Sequence, residues 1–375
     1  MRVYLDWNAT APPLAGVVEA MTAAARDAWA NPSSVHADGR AARLPVEAAR
    51  HAVAALGGVD ARDCVLTSGG TEANNLAIRS AFAGQGSASV LVTSRLEHPS
   101  VTRVAEALER EQVARVRWLE VLPTGQISLE DLERALGEAA VRLVVLQAVN
   151  AETGVIQPVH EAYALTRKAG ALLHVDAVQA WGKIEGAPEG DTMSLAAHKF
   201  RGPKGIGALL ARPGIKVTPV LLGGSQEKGI RPGTVDPIAA AGLAVAARHA
   251  LEGSARYARL APLRDGLERE LLALDPRASV NGAGAPRAPH VSSVAWPGWQ
   301  GPEMVAALDL ESVSVASGSA CSAGTSEPSP VLEAMGGGER ATSSVRISMG
   351  ETTTAAEVEA TLDAFRRVVR RGLKA

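Results

Sequence analysis

Short apolar runs alternate along the chain with longer stretches whose apolar residues recur every three or four positions. Ser89 to Thr93, Arg142 to Ala148, Ala171 to Val175 and Gly207 to Ala211 predict buried strands. Between them, Val101 to Gln112, Leu129 to Ala139 and His160 to Ala169 predict helices. Leu129, Leu132, Leu136 and Ala139, for example, share one helical face. Alternation of this kind predicts an α/β fold, a mostly parallel sheet between two layers of helices. In such sheets ligands bind beyond the carboxyl ends of the strands, and candidate chemistry is sought there.

The pattern changes after about Ala250. Arg256 to Leu274 predicts one long amphipathic helix, followed by a turn-rich connection from Asn281 to Pro289. Short strands are expected at Val291 to Trp296, Val313 to Ser317 and Val345 to Ser348, and a last helix from Ala355 to about Arg371. These elements predict a smaller α+β domain. The arginines near the end of the last helix, Arg366, Arg367, Arg370 and Arg371, suit the negative end of its dipole.

Composition narrows the function. The chain has 375 residues, 46% hydrophobic and 21% charged, with a formal charge of -2. That balance gives no general attraction to nucleic acid or anionic membranes. Aromatic residues are only 3%, so the core is expected to rest on Leu, Val and Ala. The N-terminus lacks the apolar stretch of a secretory signal, and the run from Ile238 to Ala247 is too short to span a bilayer. A cytoplasmic protein is expected. Of the 38 basic residues only seven are lysine, and Cys64 and Cys321 are the two cysteines, with no metal-binding spacing.

Four segments carry candidate chemistry. Thr67-Ser-Gly-Gly-Thr-Glu-Ala-Asn-Asn75 places a Gly-Gly-Thr turn between a strand at Cys64 to Leu66 and a helix at Asn74 to Phe82. Free N–H groups there suit a phosphate, although a plain helix cap reads the same way. Leu173-His-Val-Asp-Ala-Val-Gln179 ends a buried strand on Asp176, which needs a partner. A salt bridge would serve, and so would the protonated ring nitrogen of pyridoxal phosphate. Lys199, in Ala197-His-Lys-Phe-Arg-Gly-Pro-Lys204, precedes another strand; a lysine held in a partly desolvated site can form a Schiff base. Finally, Cys321 sits among Ser, Ala and Gly, a setting for an accessible nucleophile, whereas Cys64 enters a strand as a structural cysteine does.

Taken together, these segments resemble the pyridoxal-phosphate-dependent cysteine desulfurases of the NifS/IscS-like group, within the class V aminotransferase superfamily. The resemblance runs nearly end to end. It is carried by Tyr4-Leu-Asp-Trp-Asn-Ala-Thr10, Asn31-Pro-Ser-Ser-Val-His36, Glu97-His98, Asn150-Ala-Glu-Thr-Gly154, Arg231-Pro-Gly-Thr234, Ser317-Gly-Ser-Ala-Cys321 and Ser344-Val-Arg-Ile-Ser348. It implies the fold of type I pyridoxal-phosphate enzymes. The large cofactor domain would span 14–249, and the small domain, carrying the cysteine loop, would combine 1–13 with 250–375.

The resemblance also implies roles. Lys199 holds pyridoxal 5'-phosphate covalently. Gly70, Thr71 and His198 bind its phosphate, with Thr234 reaching in from the second subunit of a homodimer. Asp176 pairs with the ring nitrogen and Gln179 with the ring hydroxyl. His98 stacks on the ring and moves protons. Arg346 clamps the substrate carboxylate. L-cysteine becomes L-alanine, and its sulfur passes to Cys321 as a persulfide, then to an acceptor protein in iron–sulfur cluster assembly or thiolation.

Three departures from the family pattern stand out. Ala151 replaces a usual Asn, Ala196 replaces a usual Ser two residues before His198, and the chain stops soon after its last helix, without the extension that relatives use to dock a scaffold. The first two imply weaker cofactor retention or altered substrate handling. The rival readings are a selenocysteine lyase or another class V aminotransferase-type enzyme, and a degraded, non-catalytic paralogue acting as a scaffold.

Overall fold

The computed structural model describes residues 2–84, 88–138, 140–318 and 327–372. Twelve strands are described: β1 Val3–Tyr4, β2 Cys64–Thr67, β3 Val90–Ser94, β4 Arg115–Leu119, β5 Val141–Gln147, β6 Leu172–Asp176, β7 Thr192–Ala196, β8 Gly207–Ala211, β9 Ser279–Val280, β10 Val291–Ala295, β11 Val313–Ser314 and β12 Ser344–Ser348. Seven of them form one sheet in the order β2-β8-β7-β6-β5-β3-β4. The β7-β6-β5-β3-β4 block is parallel, as expected. β8 runs antiparallel to both its neighbours, so the sheet is mixed at that edge.

The continuous apolar runs are explained by burial on both faces. Along β3, Val90 and Val92 enter one core while Leu91 enters another. Along β5, Val144 and Leu146 enter the first core, and Leu143 and Val145 the second. Side chains alternate between faces, and each face is covered by helices, so both sets must be apolar. The helix Gly70–Phe82 and the helix Pro99–Arg110 cover one side. The long helix Ala37–Gly57 and the Ala-rich helix Pro237–Ala250 pack on the other.

A separate apolar core joins the two ends of the chain. Val3 and Leu5 lie with Tyr257, Leu267, Val294, Trp296, Val345, Ile347 and Phe365. Trp296 stacks on Phe365 with ring centroids 5.6 Å apart. The three-stranded antiparallel sheet β12-β10-β9 and the parallel pair β1-β11 form its framework.

Several expectations need correction. The predicted helix from Arg256 to Leu274 is two helices, Gly253–Ala258 and Ala261–Leu274. Pro262 has no N–H to continue the ladder, yet it fits the first turn of a new helix. The strand expected to reach Ser317 stops at Ser314, with an isolated bridge at Ala316 to Arg346. Of the terminal arginines, Arg367 and Arg371 pair with Glu311, and Arg366 pairs with Asp363, Glu359 and Glu270. Carboxylates across the helix surface meet these charges.

Candidate active site

A cavity of about 340 Å³ opens at the carboxyl ends of the parallel strands. The segments after β2, β3, β5, β6 and β7 each contribute to its lining: Gly70 and Thr71, then His98, Ala151, Asp176 with Gln179, and His198 with Lys199. Asn8, Ala9 and Arg346 close it from the other core. Eight of the residues singled out from the sequence therefore meet in one place: Gly70, Thr71, His98, Asp176, Gln179, His198, Lys199 and Arg346. Thr234 does not line this cavity and is exposed. Cys321 lies outside the described residues.

The Gly69–Gly70 turn opens the helix Gly70–Phe82, and Gly70 and Thr71, in the first turn whose N–H groups have no partner within the helix, line the cavity. This turn can sit close to the sheet because Gly207 has no side chain. A Cβ at Gly207 would lie 2.4 Å from the Leu195 carbonyl oxygen and 2.7 Å from Gly69 Cα. The donor-rich helix start, the Thr71 hydroxyl and neighbouring His198 suit a phosphate. Burial, with the positive charge of Lys199 beside it, pushes the His198 ring down to about 4. His198 is thus a neutral hydrogen-bonding group at neutral pH, with Nδ1 3.2 Å from Thr10 Oγ1.

Asp176 is fixed by a buried network whose polarity can be read from its ends. Asn74 Nδ2 donates to Asp176 Oδ2 at 2.8 Å and to Ser100 Oγ at 2.8 Å. Its oxygen therefore faces His174 Nε2, 3.0 Å away, which must carry a proton. His174 Nδ1 then accepts from the Thr192 hydroxyl at 2.8 Å. Burial holds His174 well below the ordinary histidine range, so it stays neutral in this role. The Val178 N–H and the Ser194 hydroxyl also donate to Asp176 Oδ1. Together these donors engage both carboxylate oxygens of Asp176.

The same network reaches His98. The Ser100 hydroxyl, having accepted from Asn74, lies 2.8 Å from His98 Nδ1. The Ser100 backbone N–H also donates to Nδ1, and His98 thereby caps the helix Pro99–Arg110. With Nδ1 accepting, the neutral ring carries its proton on Nε2. Burial lowers the His98 pKa, against the opposing pull of Asp176, and so favours the neutral ring.

Lys199 Nζ donates to the carbonyl oxygens of Asn8 at 2.7 Å and Ala9 at 2.9 Å. Arg346 is buried, not a surface arginine. It pairs with Asp6 at 2.6 Å and donates to the Ala151 carbonyl, while its buried Nε has no hydrogen-bond partner. The two departures also fall here: Ala196 ends β7 and Ala151 lines the cavity, so neither side chain offers a polar group.

Asn8 and Asn74 were quoted within motifs but given no role. Asn74 follows Gly70 by one helical turn, the spacing that keeps two residues on one face. Asn8 had no comparable signal, because its carbonyl oxygen does the work.

The fold and the cavity together define an α/β protein with a lysine, a carboxylate and a phosphate-type helix start around one cleft. The chain belongs to the class V aminotransferase family: the family's sequence model, described as Aminotransferase class-V, matches residues 3–361. A cysteine desulfurase of Cereibacter sphaeroides is 42% identical, with 98% of this chain and 96% of that protein covered. Among solved structures, a NifS-like protein superimposes with a TM-score of 0.91 at 32% identity, covering 99% of this chain and all (100%) of its own. A structure of SspA in complex with cysteine has a TM-score of 0.80 at 29% identity over 94% of this chain and 100% of that one.

Proposed function

We propose that this chain is a cysteine desulfurase that uses pyridoxal 5'-phosphate, converting L-cysteine to L-alanine. One observation carries the reading: Lys199, Asp176 and the helix start at Gly70 converge on a single cavity in a chain whose relatives bear that name. The donor set fits the cofactor. Lys199 would hold it covalently, Gly70, Thr71 and His198 would hold its phosphate, Asp176 its ring nitrogen and Gln179 its ring hydroxyl. When bound, the group supplies an electron sink for the bond-breaking at the substrate.

The residues of the chain supply the rest. The three donors on Asp176 fix its carboxylate in place, where it would meet a protonated ring nitrogen. His98, with Nδ1 engaged by Ser100, would exchange protons through Nε2, taking one up to become imidazolium before giving one back. Arg346, oriented by Asp6, presents its remaining donors to a carboxylate, a planar match for that group. Cys321 would take the sulfur as a persulfide and pass it to an acceptor protein. A core drawn only from Val3 and Leu5 and from Tyr257 to Val369 supports a small domain at 1–13 plus 250–375 beside a large domain at 14–249, while Ala288, Val291 and Val331 pack into the large domain's core. Thr234, outside the cavity and exposed, completes the phosphate site from a second copy in a homodimer. Leu221 and Leu222, exposed on the same segment, support a covered face there.

The test is direct. Purified protein incubated with pyridoxal phosphate should gain an absorbance band and form alanine from L-cysteine, with sulfide released when a reductant is present. Cys321→Ser should keep the band and lose sulfide release. Absence of the band in the wild-type protein would sink the proposal and favour a non-catalytic scaffold.

A further inference from the structure

Lys183 is one of seven lysines, yet it lies nearly sealed in the interior, with 1% of its surface exposed. Burying an amine is costly, and a lysine in such a position usually has work to do. It sits in the turn region after β6, four residues beyond Gln179. Its Nζ donates to Gln179 Oε1 at 2.8 Å. The other end of that amide, Nε2, donates to the Asn8 carbonyl at 2.9 Å. The same carbonyl accepts from Lys199 Nζ.

These contacts leave the Gln179 amide one orientation. Lys183 Nζ donates to the amide oxygen, and a charged amine can do nothing else. The Asn8 carbonyl can only accept, so the amide nitrogen must face it. Gln179 lines the cavity, and the second hydrogen on Nε2 remains for an acceptor there. Without Lys183 the amide oxygen loses its buried donor, and only the Asn8 carbonyl, which Lys199 shares, still holds the side chain in place.

We propose that Lys183 is a positioning residue, which locks Gln179 as a hydrogen-bond donor to the cavity and so selects an electron-rich ring oxygen of the cofactor. Burial pushes the Lys183 amine well below the ordinary lysine range, and the charges of Lys199 and Arg346 push it further the same way. The neutral amine can still donate to Oε1, and the Asn8 carbonyl, a pure acceptor, keeps the Nε2 end of the amide towards itself. The inference rests on the pyridoxal-phosphate reading above, with Gln179 as the group that meets the ring hydroxyl.

The experiment is a double-mutant cycle on pyridoxal phosphate affinity, read by equilibrium dialysis with the absorbance band recorded in parallel. Lys183→Met keeps length and removes the donor. It should weaken affinity about tenfold and change the band. In a Gln179→Leu background, Lys183→Met should change affinity less than about twofold, because its effect passes through Gln179. A merely structural lysine would shift both backgrounds alike, and that result overturns the proposal. Should Lys183→Met not fold, Gln179→Glu serves: it keeps the Lys183 partner and loses the cavity donor. It should weaken affinity to the same extent, and wild-type affinity there overturns the proposal. Wild-type protein that binds no pyridoxal phosphate refutes the underlying reading rather than this step.

Discussion

Removing Asn74 should damage both stability and turnover, because one side chain orients two functional groups. In Asn74→Ala, Asp176 loses a charge-assisted bond, worth ~1.5–3 kcal/mol, and the His174 Nε2–H is left buried without its acceptor, costing ~1–3 kcal/mol. The expected loss of unfolding free energy is about 3–5 kcal/mol, measured by urea denaturation. Ser100 also loses the donor that sets its hydroxyl toward His98. If the Asp176 bond is felt mainly in the transition state, alanine formation from L-cysteine should fall by about 10- to 150-fold. The pairing of the two losses is the point. Asn74→Ala with wild-type turnover on the loaded enzyme would refute the argument that this network orients Asp176 and His98.

Other expectations can be checked separately. Glu351 lies beside Arg201, Arg256 and His249, and although burial alone would raise its pKa, their hydrogen bonds hold it at about 2, below its ordinary 4.5. The stability it contributes should be full above about pH 4.5 and lost as pH falls towards 2, so wild-type and Glu351→Gln denaturation curves should converge in acid. Burial pushes the Cys64 thiol up to about 12. Alkylation of native protein at neutral pH should therefore spare Cys64 and modify Cys321, as read by peptide mass spectrometry. Ala196→Ser returns a hydroxyl to the cavity beside Gly70, and should tighten pyridoxal phosphate binding about tenfold; Ala151→Asn should lower KM for L-cysteine. No gain in either variant would remove the significance given to these two departures.

Most of the frame was legible because burial on both faces writes itself as continuous apolar runs. β5 and β6 fell within a residue of their predicted limits for that reason. The split at Pro262 was also written in the sequence, but a proline inside an amphipathic pattern is compatible with a kink as well as a restart. The reversed direction of β8 was not legible, since strand direction leaves no mark on composition. The cavity residues were legible as residue types at strand ends. What could not be read was the polarity of the network behind them. Asn74, His174 and Lys183 act through which atom donates to which, and that appears only when segments distant in the chain meet. Arg346 shows the same gap: its burial against Asp6 depends on contact between positions near the two ends of the chain.

The central claim is that the Lys199 cavity converts L-cysteine. The decisive measurement is alanine formed from L-cysteine by pyridoxal-phosphate-loaded wild-type protein and by Lys199→Ala treated identically. Steady alanine production by the first and none by the second is the predicted result. Equal alanine from both, or none from a wild-type protein that has taken up the cofactor, would contradict the assignment.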